Sequence, residues 1–282
     1  MAVPDRLAVA YTPDSDDAFN FYAWEHGHVA LATPGPRPEF HRHHISALNQ
    51  AARERRFDVV AISSVVYPEV ADDYWILATG NSVGRGWGPV LVSKRYARPA
   101  DLGGRRVAVA GRVTTGGVLA MMYSPPCELV EMAYDGIADA IARDEVDAGV
   151  MIHEELLHFP ERGLQSVLDL GKAWCDDTAL PLPVGLNLVR KALGLDLARQ
   201  VAATCQASLR WALEHAEEAF AFAGSFGRGQ ARRHVEMFSN RDTLCAPDDV
   251  RQGMRVMFDR VAAMGLVPRL GSFEVIDGPT AS

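Results

Sequence analysis

Short apolar runs that stop abruptly in polar residues recur along this chain, each followed by a turn or by apolar residues at helical spacing. Runs at residues 7–11, 57–64, 74–79, 89–93, 106–110, 128–133, 146–152 and 166–170 read as strands. Apolar stretches of this length, bounded by turn residues, suit strands buried in a sheet. Between them, three- and four-residue apolar spacing predicts helices over 18–25, 46–56, 118–123 and 134–141. From residue 196 the pattern is helical, with Leu197, Val201, Cys205, Leu209, Ala212, Leu213 and Ala216 on one stripe. Further helices are predicted over 229–239 and 247–264, the last opened by Pro247 and stopped by Gly265. Prolines 181 and 183 force an extended segment at 180–185. A Pro/Gly loop is expected over 32–38 and a frayed tail from residue 278.

The alternation of strand and helix predicts an α/β fold, and its ordering suggests two lobes. Residues 1–88 plus 190–282 form the expected first lobe and 89–189 the second, with crossings near 89 and near the 180–185 segment. Two lobes crossed in this way leave a cleft that closes on a small ligand.

The ends of the strands carry the candidate chemistry, because open α/β sheets bind ligands beyond the carboxyl ends of their strands. The strand at 146–152 runs straight into His153-Glu154-Glu155, which places an imidazole at a sheet edge, where it serves as a base or is capped by a carbonyl. Residues 7–11 lead into Thr12-Pro13-Asp14-Ser15-Asp16-Asp17, a polar turn before a helix; Asp16 or Asp17 is the expected cap, and the helix start suits a polar or anionic ligand group. The 57–64 run ends in Ser63 and Ser64, which donate to a ligand or cap the next turn. Thr114 and Thr115 stand at a second helix start, as anion donors or as a cap. His41 and His43 share one strand face, but no further ligands cluster nearby, so a metal site is not predicted. The glycines of residues 80–89 fit neither a dinucleotide nor a phosphate-loop motif and are read as tight turns or close approaches.

Composition narrows the classes. The chain has 282 residues, 48% of them hydrophobic and 23% charged, and a net charge of −8, which argues against a nucleic-acid or anionic-membrane surface. No run approaches a membrane span and no secretory leader is apparent, so a cytoplasmic protein is expected. Cys127, Cys175, Cys205 and Cys245 lack metal or disulfide spacing and read as reduced thiols.

Several segments together carry a family resemblance: Thr12-Pro13-Asp14-Ser15-Asp16-Asp17-Ala18-Phe19, Ala61-Ile62-Ser63, Gly84-Arg85-Gly86-Trp87-Gly88-Pro89, Gly111-Arg112-Val113-Thr114-Thr115, Glu145-Val146-Asp147-Ala148-Gly149, Ile152-His153-Glu154 and Leu180-Pro181-Leu182-Pro183-Val184-Gly185. In this order the chain resembles the 1,4-dihydroxy-6-naphthoate synthase family of the futalosine route to menaquinone. The resemblance implies a two-lobed, type II periplasmic-binding-protein-like fold with a central cleft, used as an enzyme. It implies a carbon–carbon lyase that cleaves cyclic dehypoxanthinyl futalosine to the naphthoate and a three-carbon fragment, dihydroxyacetone, with no cofactor or metal. By the same resemblance His153 matches the catalytic base, and Ala61, Ile62, Ser63, Thr114 and Thr115 match substrate-binding positions. Some members carry Ser-Pro-Cys-Pro-Asn-Asp where this chain has residues 12–17, and some a lysine where it has Ala61, so a polar contact at Ala61 is through its backbone. The alternative readings are a solute-binding protein and a chorismate dehydratase of the same fold.

Overall fold

The computed structural model describes residues 4–31, 35–227 and 229–278. Residues 32–34 of the expected Pro/Gly loop, and the expected tail beyond Gly278, lie outside them.

The chain opens with β1 (Arg6–Tyr11), α1 (Ser15–Glu25), β2 (Arg37–Arg42), α2 (Ile45–Arg53), β3 (Val59–Ser63), α3 (Tyr67–Val70), β4 (Tyr74–Leu77) and β5 (Ser82–Gly84). It then runs through β6 (Val90–Ser93), β7 (Arg106–Val109), α4 (Thr115–Tyr123), β8 (Glu128–Glu131), α5 (Ile137–Ala142), β9 (Ala148–Met151), α6 (Glu155–His158), β10 (Gln165–Asp169) and α7 (Leu170–Thr178). The return consists of β11 (Leu182–Arg190), α8 (Leu195–Glu214), α9 (Ala216–Ala223), α10 (Ala231–Phe238), α11 (Arg241–Cys245), α12 (Asp248–Ala263) and β12 (Val275–Ile276).

Two sheets result. The larger has the order β12-β4-β11-β3-β1-β2, with β5 paired to β11; the smaller has the order β10-β6-β9-β7-β8. Strand β3 lies near the middle of the larger sheet and all five of its residues are buried, as its unbroken apolar run requires. Strand β11 is antiparallel to β3, pairing Gly185 with Ser63. By Leu182 the chain has therefore re-entered the larger sheet, ahead of the expected boundary at 189. Among the described residues no helix is long and apolar enough to cross a membrane.

Helix α1 is buried on nearly every side, from Ser15 to Trp24. The helical return holds it in place. Ser208 of α8 donates its hydroxyl to the Asn20 carbonyl (2.8 Å) and accepts the Trp24 N–H (3.1 Å), and Ser239, just past α10, donates to Asn20 Oδ1 (2.8 Å). Each such buried bond contributes about 1 kcal/mol net, and leaving a partner unpaired would cost more. The return is thus a clamp on the element that opens the site.

In the smaller sheet, Gly149 of β9 lets α5 lie directly on the strand: a Cβ there would stand 2.3 Å from Ile137 Cγ2. Strand β9 runs parallel to β7 and antiparallel to β6, and ends at Met151. His41 and His43 pack their rings near Phe57, at centroid distances of 5.4 and 5.8 Å.

Candidate active site

A cavity of about 700 Å³, counting its open mouth, lies between the two sheets. The six site residues implied by the resemblance line it, whereas Ser64 does not and donates its hydroxyl to the Pro183 carbonyl at 2.5 Å. Ala61, Ile62 and Ser63 come from the end of β3, Thr114 and Thr115 from the start of α4, and His153 from the loop after β9. Thr12, Asp14, Asp16 and Asp17 enter from the β1–α1 turn, Asn187 from β11 and His234 from α10.

His153 sits in the left-handed region with φ +53°, a conformation that strains a residue with a Cβ by roughly 1–3 kcal/mol. Its Nδ1 lies 2.5 Å from Asp14 Oδ2, so the pair joins the two sheets across the cleft. The other ring nitrogen, Nε2, is buried and has no hydrogen-bond partner among the described residues. A ring nitrogen held by a carboxylate fixes the tautomer and leaves the opposite nitrogen as the proton acceptor. Burial disfavours the imidazolium, but the Asp14 charge and hydrogen bond outweigh it and hold His153 above its ordinary 6.5. Burial likewise opposes the Asp14 charge, yet His153 wins there too and the carboxyl sits at about 2.

Asp14 also caps α1, accepting the Asp17 N–H at 3.3 Å, so the cap is neither of the two residues the sequence suggested. Thr12 Oγ1 stands 2.7 Å from Asp14 Oδ2 and 2.6 Å from Asp17 Oδ2. One hydroxyl hydrogen cannot serve both, and a proton on Asp17 completes the set. Burial and the Asp14 charge push Asp17 up to about 7. Asp16 is also driven well above the carboxylate range, by burial and then by its two acidic neighbours. Its Oδ2 accepts the Ser82 hydroxyl at 3.1 Å, while its buried Oδ1, 3.6 Å from His234 Nδ1, has no hydrogen-bond partner among the described residues. His234 is pulled down to about 4, chiefly by burial, and stays neutral. Its Nδ1 lies 3.1 Å from Ser15 Oγ.

A second contact crosses the cleft beside the first: Ser15 Oγ donates to Glu154 Oε1 at 2.5 Å. Ser63 accepts from Asn49 Nδ2 (3.1 Å) through its hydroxyl oxygen, which leaves its proton for a ligand.

Of the two readings of the threonines, anion donors or a cap, the cap is the one Thr114 takes. Thr114 is the cap of α4, donating to the Gly111 carbonyl (2.7 Å) and accepting the Gly117 N–H (3.2 Å). Thr115 donates to the Val184 carbonyl at 2.6 Å. Both hydroxyl protons are committed inside the protein, so the donors left for a ligand are the Thr115 and Gly116 N–H groups at the helix start, which have no partner among the described residues. Gly116 is required there, because a Cβ would stand 2.9 Å from Val150 Cγ1 of β9.

Sequence reasoning missed the pairing of Asp14 with His153, the bond from Ser15 to Glu154, and the entry of His234 and Asn187. The one local signal was Asp14 three residues ahead of Asp17, a capping spacing. The others join residues far apart in the chain.

Similar proteins agree with this architecture. The periplasmic aliphatic sulphonate binding protein of Escherichia coli superposes with a TM-score of 0.69 at 12% identity, covering 99% of this chain and 96% of that one, a likeness of fold alone. A crystal structure of an Archaeoglobus fulgidus protein superposes at 0.88 with 37% identity, covering 93% and 99%. The chain thus has the periplasmic-binding-protein-like fold, two α/β lobes around one cleft. Residues 7–263 match the family described as menaquinone biosynthesis. The chain is 34% identical over 267 residues to the 1,4-dihydroxy-6-naphthoate synthase of Thermus thermophilus, covering 93% of this chain and 96% of that protein. It is 32% identical over 284 residues to that of Streptomyces coelicolor, covering 95% and 96%. It belongs to the 1,4-dihydroxy-6-naphthoate synthase family, enzymes of menaquinone biosynthesis.

Proposed function

We propose that this chain is a carbon–carbon lyase that cleaves cyclic dehypoxanthinyl futalosine to 1,4-dihydroxy-6-naphthoate and dihydroxyacetone, with His153 as the general base. The observation that carries the reading is the buried Nε2 of the cavity-lining His153, which has no hydrogen-bond partner among the described residues, with Nδ1 anchored by Asp14. In this scheme Nε2 takes a proton from the sugar-derived part of the substrate. The carbon–carbon bond then breaks, its electron pair is protonated on the departing three-carbon fragment, and the aromatic naphthoate is left. Protons and electrons balance without an electron acceptor. The Thr115 and Gly116 N–H groups suit the substrate carboxylate, since helix starts favour anions, and the Ser63 hydroxyl faces the ligand from the larger sheet.

Purified protein incubated with the cyclic futalosine yields the naphthoate, and with chorismate it yields nothing. Enol-pyruvyl benzoate from chorismate would mark a dehydratase instead, and no product from either would mark a binding protein. His153→Asn loses about 10²–10⁴-fold in kcat, the usual contribution of a placed base. A folded His153→Asn protein turning over at the parent rate would remove the mechanism.

A further inference from the structure

We infer that Asp14 is the positioning residue of this site, a carboxylate lent by one lobe that sets the tautomer and basicity of an imidazole carried by the other. This rests on the reading of His153 as the base. Three independent features of the geometry carry it. Asp14 Oδ2 stands 2.5 Å from Nδ1, whereas Nε2 has no partner among the described residues. Asp14 is itself fixed from two sides, as the cap of α1 through the Asp17 N–H and as the neighbour of the Thr12 hydroxyl at 2.7 Å. And His153 holds its strained backbone, φ +53°, where the loop after β9 meets the start of α1. A carboxylate on Nδ1 keeps the proton there, so the lone pair lies on Nε2 and the imidazolium formed on proton transfer is stabilised.

The surroundings of the ring leave this role to Asp14. Asp17 and Glu154 also bear on it electrostatically, while the buried His234 ring of α10, held neutral by burial, brings no opposing charge at working pH. The Tyr134 ring, at 4.7 Å between centroids, packs against His153. Asp14 is in direct contact with a ring nitrogen, at 2.5 Å.

The test uses Asp14→Asn in the full chain, because asparagine keeps the cap of α1 while removing the charge. Asp14→Ser, another capping residue, is made in parallel so that one folding failure does not end the experiment. Histidine side-chain ¹⁵N spectra of the parent are expected to show the Nδ1-protonated form of His153 above its midpoint, and this reading needs no turnover. In the variants the His153 midpoint falls by about one pH unit or more, the size expected when a contacting opposite charge is removed. If the parent converts the cyclic futalosine, kcat drops about 10²–10⁴-fold with KM within about threefold, and the acidic limb of the pH–rate profile moves to lower pH. A merely structural Asp14 would lower stability and leave that limb in place. An Nε2-protonated ring in the parent, or an unmoved His153 midpoint in both variants, overturns the inference. Failure of the parent to turn over any substrate overturns the proposed reaction instead, and leaves the ¹⁵N result standing by itself.

Discussion

At the scale of single residues, the site is a set of ionisable groups pushed apart in charge by burial. His153 and Asp14 form an ion pair, while Asp17 rises to about 7 and His234 falls to about 4. A base must be neutral to act, and His153 lies above 6.5. The kcat/KM profile is therefore expected to climb with pH through a midpoint above 6.5, as measured by initial rates from pH 5 to 9. Asp17 makes a separate claim on stability. Its folded value of about 7 exceeds its unfolded value near 3.8, so its contribution to stability is complete below 3.8 and is lost as pH rises through 7. Asp17→Asn, which keeps an oxygen for the Thr12 N–H, is expected to stabilise the protein at pH 8 by roughly 2–4 kcal/mol and to do little at pH 4, read from urea midpoints. His234 has the opposite sign: the stability it contributes is full above 6.5 and lost as pH falls toward 4. The difference between variant and parent, rather than the parent profile, isolates Asp17. At this scale the sequence was legible in which strand ends reach the cavity, as with His153 and Ser63, though not Ser64. It was silent on Asp14 as the partner of His153, since nothing local ties residue 14 to residue 153.

At the scale of elements, most strands and long helices were legible because burial imposes its own period on them: β3, β9, α8 and α12 all stand where their apolar spacing put them. Helix α7 was not foreseen. It is one short helix opened by Leu170-Gly171, and its clearest mark is the Asp169 side chain accepting the Lys172 N–H at 2.9 Å. Its glycine explains the glycine-rich stretch that the sequence left as turns or close approaches. A Cβ at Gly171 would stand 2.1 Å from the Trp87 carbonyl, and one at Gly88 2.9 Å from Gly171 Cα, so two backbones touch where β5 passes toward β6. Gly86, at φ +84°, supplies the turn. Gly171→Ala is accordingly expected to destabilise the protein by about 1–3 kcal/mol or more in a urea melt, despite alanine being the better helix former. The threonines at the start of α4 illustrate the limit of residue type as a guide. Their hydroxyls were legible as donors, but only the folded chain shows that Gly111 and Val184 already accept them.

At the scale of the molecule, the cavity draws its walls from both sheets, and hydrogen bonds that include Asp14 with His153 and Ser15 with Glu154 span the gap. Binding of 1,4-dihydroxy-6-naphthoate is therefore expected to slow hydrogen exchange together in the first turn of α1 and in residues 152–158, while the centre of β3 is unchanged. Protection gained on one side alone would contradict a site shared between lobes.

The placement of β11 between β3 and β4 has a further consequence, for the order in which the protein is made. Everything in the smaller sheet, β6 to β10, is translated before the strand that unites the middle of the larger one. On the ribosome, where domains fold as they emerge, the smaller sheet is therefore finished first. The opening strands wait, half assembled, until about two thirds of the message has been read.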